Sequence, residues 1–424
     1  MRNMRKIEPL RSLDATVRIP GSKSFTQRAL VIASLAEGES LLQNTLLSED
    51  STYLMEALKD LGAEIRIEGK DVHVTGTGGR LKNPGKSIYL GNNGTAMRFL
   101  TSLVSLGEGE YTLTGTERLC QRPIGALVEA LRSLGVEARS KGGDGFPPVV
   151  VKAGGLPGGP VVFKDIVSSQ FVSSLLICSP YAKEETIVEL EGSVRSYPYL
   201  EMTKEVMEAF GVPVHQERPN RFLVSGREQY RSREYRIEGD ASSASYFFLA
   251  AAICRGRIRV ENLNPRTRQG DIGILAVLEA LGCRVIRGDN WVEVRGGDLN
   301  RGEYTFDLGN MPDMVPTLAV LSARRLGRTL IRNVSHLRLK ESDRLKALAT
   351  ELRKMGIQAR EIEDGLAIEG GPARGAAIET YEDHRIAMSF AILGLAVPGI
   401  SIQNPQCVGK SFPDFWEKLG GLYR

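Results

Sequence analysis

The sequence contains no C-x-x-C pair, and its five cysteines, Cys120, Cys178, Cys254, Cys283 and Cys407, lie far apart. An odd number at such spacing argues against a disulfide framework and fits a reducing compartment, so a cytoplasmic location is expected. No run of about 18 apolar residues occurs without interruption. The amino terminus, MRNMRKIEPLRSLDATVRIPGSKS, is basic but lacks an apolar core, so neither a membrane span nor an export signal is read. Charge of one sign is also scarce. With 55 basic and 51 acidic residues the net charge is only +4, too small and too dispersed for a nucleic-acid footprint. Missing as well are a Walker A loop, a strand followed by G-x-G-x-x-G, an H-E-x-x-H helix and any Cys/His cluster. Nucleotide hydrolysis, hydride transfer and zinc chemistry are therefore unsupported. Of the four histidines, His73 and His215 fall in alternating strand patterns and read as structural, while His336 and His384 have suggestive neighbours.

What remains is a globular composition, 42% hydrophobic and 25% charged over 424 residues, long enough for two or three domains. Within it a pattern recurs roughly every seventy residues. The segment EALKDLGAEIRIEGKDVHVTG around Gly62 returns in outline around Gly135, Gly211, Gly282 and Gly356, and in truncated form, FWEKLGGLYR, at Gly420. Before each glycine the apolar residues have helical spacing (Leu54, Leu58, Leu61; Leu127, Leu131, Leu134), and the glycine stands where a helix C-terminal cap needs positive φ. Two short alternating runs joined by Gly, Asp or Asn follow, which predicts a pair of antiparallel strands.

A second series lies between these caps, with onsets at Lys23, Asn93, Ser169, Ser242, Asp313 and His384. Each segment is polar at its start and apolar nearly all round afterwards, the pattern of a buried helix. Polar onsets serve as N-caps, but several carry more than a cap requires: Lys23 and Arg28 in PGSKSFTQR, LGNNGTAMR, Ser168-Ser169-Gln170, and Asp383-His384-Arg385. Helix N-termini favour anions. Further cations, Arg122 in CQRPIG, Lys340 and Arg344 in RLKESDRLK, and Lys410 in VGKSFPDF, lie near these onsets. The set reads as a site for small, highly anionic ligands, whereas the start at Ser242 reads as structural. Asp313 and Glu341 sit among the cations, which keeps them ionised and available as bases. Lys23 is a candidate general acid.

In this order, PGSKSFTQRAL, LGNNGTAMR, RPIGAL, SSQFVSSLL, GDASSASYF, MPDMVPT, LKESDRLKAL, EDHRIAM and GKSFPDF resemble the EPSP synthase family of enolpyruvyl transferases nearly end to end. The resemblance implies an α/β fold of α+β repeats, a two-domain inside-out α/β barrel of six βαβαββ units, three per domain, closing over the substrates. Domains are expected at 21–236, with most of the shikimate 3-phosphate site, and at 1–20 with 237–424, completing the phosphoenolpyruvate site. Crossings are expected near 20–21 and 236–239. The implied reaction moves the carboxyvinyl group of phosphoenolpyruvate to the 5-hydroxyl of shikimate 3-phosphate, in a monomer, with no metal or organic cofactor and no nucleic-acid or membrane partner. Shikimate 3-phosphate would meet Lys23, Ser24, Arg28, Ser168, Ser169, Gln170, Ser196, Tyr199, Asp313 and Lys340. Phosphoenolpyruvate would meet Lys23, Gly94, Arg122, Gln170, Arg344, His384, Arg385 and Lys410. Asp313, Glu341 and Lys23 would carry catalysis.

Departures from the family pattern are His336, where an asparagine is frequent, Asn93, where a small residue is common, and Phe99 in place of proline or leucine. Gly94 is retained, which implies inhibition by glyphosate, whose phosphonate a methyl there would crowd. The rival reading is the sister transferase acting on UDP-N-acetylglucosamine, which uses a loop cysteine as general acid. Cys120 lies two residues before Arg122, but the long mobile loop sequence of that enzyme is absent, and Cys120 reads as a packing residue.

Overall fold

A computed structural model describes residues 4–192 and 194–423. The chain divides into two compact units, Gly21–Ile237 and Met1–Pro20 with Glu238–Arg424. The architecture is mixed α/β, with several small mixed sheets.

In the unit Gly21–Ile237 three four-stranded sheets have their strands in the orders 234–236, 39–43, 71–75, 64–68; then 88–89, 108–114, 149–154, 137–140; then 159–164, 186–191, 221–224, 215–218. Each begins with a parallel pair and ends in an antiparallel hairpin. Alternation decides the faces. In Asp71–Thr75, Val72 and Val74 are wholly buried while the intervening His73 is not, so its imidazole stands outward beside Glu39, 2.8 Å away.

The unit Met1–Pro20 with Glu238–Arg424 repeats this pairing in the sheets 14–18, 257–261, 291–295, 284–287 and 304–307, 327–332, 365–370, 358–362. Its third sheet has three strands: Met4–Lys6 pairs antiparallel with Ser401–Gln403, which lies parallel to Ala377–Ile378. Besides Met4–Lys6, two more strands leave the order of the chain. Asp14–Arg18 precedes the Lys23 helix yet pairs with Arg257–Glu261, and Glu234–Arg236 precedes the Ala241 helix yet pairs with Leu41–Gln43.

Two kinds of helix hold the sheets. Lys23–Leu35, Gly94–Leu103, Gln170–Cys178, Ala241–Cys254, Val315–Arg324 and His384–Gly394 are buried almost all round. Such burial stabilises by roughly 1.5–3 kcal/mol for each Leu, Ile, Val or Phe. Others, such as Glu49–Asp60 and Gly125–Ser133, bury one stripe and leave the opposite face exposed. Caps differ in part from expectation. Asn93 and Asp383 cap their helices, but Asp240 rather than Ser242 caps Ala241–Cys254, and Asp313 lies in a 3-10 turn, Pro312–Met314, before its helix. None of the described helices is long and apolar enough to cross a membrane.

The glycine signal holds at five of its six positions. Gly62, Gly135, Gly211, Gly282 and Gly356 have φ of 109°, 86°, 89°, 98° and 83°, where a side chain would meet its own carbonyl. Gly420 departs from expectation. It is the last residue of the helix Phe415–Gly420 and a 3-10 turn follows. The chain passes from the helix straight into that turn, so it does not need the left-handed cap that reverses it at the other five.

A Cβ at Gly135 would have only Pro157 nearby, at 3.7 Å, so Gly135→Ala measures backbone strain alone. We expect a loss of about 1 kcal/mol in urea-denaturation midpoints. Gly297→Ala, where φ is not positive and nothing lies within 4 Å, leaves the midpoint unchanged or slightly raised.

Candidate active site

In the unit Gly21–Ile237 the predicted residues collect at helix starts. Ser22 caps the Lys23 helix, and Lys23 Nζ lies 3.3 Å from the buried carboxylate of Asp50, in the first turn of Glu49–Asp60. Asn93, the departure noted above, has a structural reason. Its Oδ1 accepts from Ala96 N at 2.9 Å and its Nδ2 donates to Asp50 O at 2.7 Å, joining two helix starts as a smaller residue could not. Gly94 leaves room for two guanidiniums, since a Cβ there would stand 2.3 Å from Arg98 Nη1 and 2.5 Å from Arg122 Nη2. Arg98 is held by Gly94 O and Pro123 O, and Arg122 is buried.

The Gln170 helix is tied in through Gln170 Nε2, which donates to Thr95 Oγ1 at 2.9 Å, while Ser168 Oγ accepts from Gln170 N. Ser169 is buried at the cap position. Ser196, held at φ 60°, accepts from Tyr199 N. Arg28 faces inward. Only 1% exposed, it donates to Thr203 Oγ1 (2.8 Å), Ser24 O (3.0 Å) and Tyr199 O (3.1 Å). It also lies over the rings of Phe99 and Tyr199, so the unusual Phe99 is a platform for it. Burial lowers its pKa to about 10, still charged at neutral pH.

The other unit holds a denser charge cluster. Asp313 lies between two guanidiniums, with Arg344 Nη1 at 2.9 Å from Oδ1 and Arg385 Nη2 at 2.7 Å from Oδ2. Arg344, 1% exposed, also donates to Asp383 (2.8 Å) and Glu341 (2.8 Å). Burial opposes its charge, yet Asp383, Glu341 and Asp313 hold its pKa well above the ordinary value. Asp383 does three jobs: it pairs with Arg344, accepts from Ser342 Oγ at 3.0 Å, and caps the next helix through Arg385 N at 3.0 Å. His384 is fully buried beside it. Lys340 follows the 3-10 turn Ser335–Leu339, which contains the buried His336. Lys410, 5% exposed, ends the turn Pro405–Lys410, which packs on the His384 helix.

Sequence reasoning missed two carboxylates. Asp50 is signalled only by its place in a first turn. Asp271, in the 3-10 turn Gly270–Gly273, accepts a very short hydrogen bond from Ser242 Oγ, and Ser242 Oγ also lies 3.4 Å from Arg385 Nη2. The start at Ser242, read as purely structural, is therefore joined to the charge cluster. Burial first, then repulsion by Asp313, pushes the Asp271 carboxyl up to about 7, against the pull of Arg385. Among the described residues no group of three or more His, Cys, Asp or Glu could hold a metal. The paired cations are of the kind that recognise anions, with carboxylates beside them.

Comparison with known proteins agrees. A family model described as EPSP synthase (3-phosphoshikimate 1-carboxyvinyltransferase) matches residues 7–419. Relatives named 3-phosphoshikimate 1-carboxyvinyltransferase include that of Trichormus variabilis, 44% identical over 96% of each chain. That of Syntrophobacter fumaroxidans is 43% identical over 99% of this chain and 100% of its own. The solved EPSP synthase of Acinetobacter baumannii superposes with a TM-score of 0.83 at 28% identity, over 100% of this chain and 98% of that one.

Because the folded pKa of Asp271 exceeds its ordinary 3.8, its contribution to stability is fully present below about pH 4 and is lost as pH rises through about 7. Asp271→Asn removes this titration. Its stability relative to wild type therefore increases from pH 4 to pH 7 by on the order of a few kcal/mol, read from chemical denaturation at each pH. A constant difference is the contrary outcome.

Proposed function

The chain belongs to the EPSP synthase family, and from that membership we infer that it is an enzyme transferring the carboxyvinyl group of phosphoenolpyruvate to the 5-hydroxyl of shikimate 3-phosphate, with release of phosphate. Its product serves chorismate and aromatic amino-acid biosynthesis. The names of the relatives favour this reading over transfer to UDP-N-acetylglucosamine. The finer architecture proposed is an inside-out α/β barrel of six βαβαββ units, and the enzyme is proposed to act as a cytoplasmic monomer without cofactor.

The observation that carries the chemistry is Asp313 between Arg344 and Arg385. An incoming phosphate or carboxylate that takes donors from either guanidinium loosens their hold on Asp313. That readies its oxygen to accept the hydroxyl proton of shikimate 3-phosphate. As the hydroxyl attacks C2 of phosphoenolpyruvate, C3 must be protonated; the tetrahedral intermediate then loses a C3 proton and phosphate. Glu341, on the same cation, is proposed to trade the C3 proton, and Lys23 to neutralise the departing phosphate.

Phosphoenolpyruvate is proposed to be held by Lys23, Gly94, Arg122, Gln170, Arg344, His384, Arg385 and Lys410. Shikimate 3-phosphate would take Lys23, Ser24, Arg28, Ser168, Ser169, Gln170, Ser196, Tyr199, Asp313 and Lys340. Arg28 would also steady its neighbours, through its hydrogen bonds to Ser24 O and Tyr199 O.

Phosphate release from phosphoenolpyruvate with shikimate 3-phosphate, against UDP-N-acetylglucosamine as control, tests the assignment. Turnover only with the latter would overturn it. Asp313→Ala is expected to lower turnover by about a thousandfold while calorimetric ligand affinity stays within about tenfold; unchanged turnover would favour a binding role. Gly94→Ala must displace Arg122 or Arg98. It should raise KM for phosphoenolpyruvate roughly tenfold or more and blunt inhibition by glyphosate, both read from initial rates.

A further inference from the structure

We propose that Asp271 is a positioning residue of this site, fixing the Arg385 guanidinium against Asp313 through the hydroxyl of Ser242. The inference rests on the transferase reading above.

A serine hydroxyl has one proton and two lone pairs. Ser242 gives that proton to Asp271 Oδ2, so toward Arg385 Nη2, 3.4 Å away, it can act only as an acceptor. The same Nη2 donates to Asp313 at 2.7 Å, and Nη1 donates to the Tyr246 hydroxyl at 3.3 Å. These acceptors help set the guanidinium plane, and one of them is oriented by Asp271. Asp271 is 3% exposed, and its Oδ1 has no hydrogen-bond partner among the described residues. A carboxylate left half satisfied in a buried place is costly, and a residue needed only for packing would not carry that cost.

The charged groups facing Asp271 are Asp240 at the cap of the Ala241 helix, Asp313 in the turn Pro312–Met314, and Arg385 in the His384 helix. Burial and Asp313 resist ionisation, while Arg385 and the Ser242 hydrogen bond favour it, leaving the carboxyl divided near neutrality. When ionised, Asp271 takes the serine proton and Ser242 receives Arg385. When protonated on Oδ2, Asp271 donates to Ser242, whose own proton must turn elsewhere and whose oxygen is then shared between Asp271 and Arg385, so the acceptor offered to Arg385 weakens. Arg385 then loses its fixed orientation toward an anionic substrate as pH falls.

The test is the pH profile of kcat/KM for phosphoenolpyruvate between about pH 6 and about pH 8.5 in wild type, Asp271→Asn and Ser242→Ala. Wild type should lose activity on a limb near pH 7; both variants should lack that limb and show a kcat/KM about tenfold lower at high pH, mostly through KM. Ser242→Ala cuts the link without touching the buried carboxyl, so it decides the matter if Asp271→Asn does not fold. Circular dichroism identifies folded variants. A wild-type profile flat through this range, or variants that keep the limb, overturns the proposal. If wild type shows no turnover, the transferase reading fails instead. Calorimetry with phosphoenolpyruvate then still decides, since about tenfold weaker binding by the variants is expected and equal affinity rejects the role.

Discussion

A guanidinium almost wholly removed from water must be surrounded by oxygen, and Arg344 meets this condition with three carboxylates from three parts of the chain. Removing one partner of such a cluster leaves an uncompensated buried charge, which destabilises far more than a surface pair stabilises. The demand of Arg344 therefore fixes the positions of Asp313, Glu341 and Asp383 together. Asp383, fully buried, transmits the constraint to the His384 helix by capping it, and so determines where Arg385 begins. The groups proposed to react are located by an electrostatic necessity that would hold with or without a substrate.

The same cluster explains how carboxylates are tolerated where anions are to be recognised. The cations are held by the protein's own carboxylates at hydrogen-bonding distance, so in the proposed binding mode a ligand phosphate or carboxylate would exchange one set of oxygens for another. Dry charges would not have to be created at the moment of such binding, which would keep the desolvation cost low. In the unit Gly21–Ile237 the device is milder. Helix starts and a glycine make room for Arg98 and Arg122, and Lys23 is steadied by Asp50.

How much of this could be read from the chain depends on the range of the physics involved. Gly62 and its counterparts were legible because a positive φ at a helix end is a local demand that only glycine meets without strain. The hairpins after them follow from alternation over a few residues. Asn93 and Asp383 were legible as helix starts because capping is local too. Ser242 and Asp313 were misplaced by one or two residues because a cap or a 3-10 turn can be supplied by a neighbour. Asp271 escaped notice since its significance lies in a hydrogen bond to Ser242 and in the field of Asp313, neither of which leaves a periodic trace. Arg28 was legible as a helix-start cation in PGSKSFTQR, but its hold by Thr203 and Tyr199, far along the chain, was not.

The strands that leave the order of the chain bear on how the protein is made. Asp14–Arg18 emerges from the ribosome early, but its partner Arg257–Glu261 emerges only after some 240 further residues, an interval on the order of ten seconds or more at ordinary rates of synthesis. Until then the strand has an unpaired edge. The unit Gly21–Ile237, in contrast, acquires its closing strand, Glu234–Arg236, as its own last segment. The nascent chain thus completes the inner unit first and must shelter an unsatisfied amino-terminal strand throughout, a burden that an uninterrupted order of domains would have spared it.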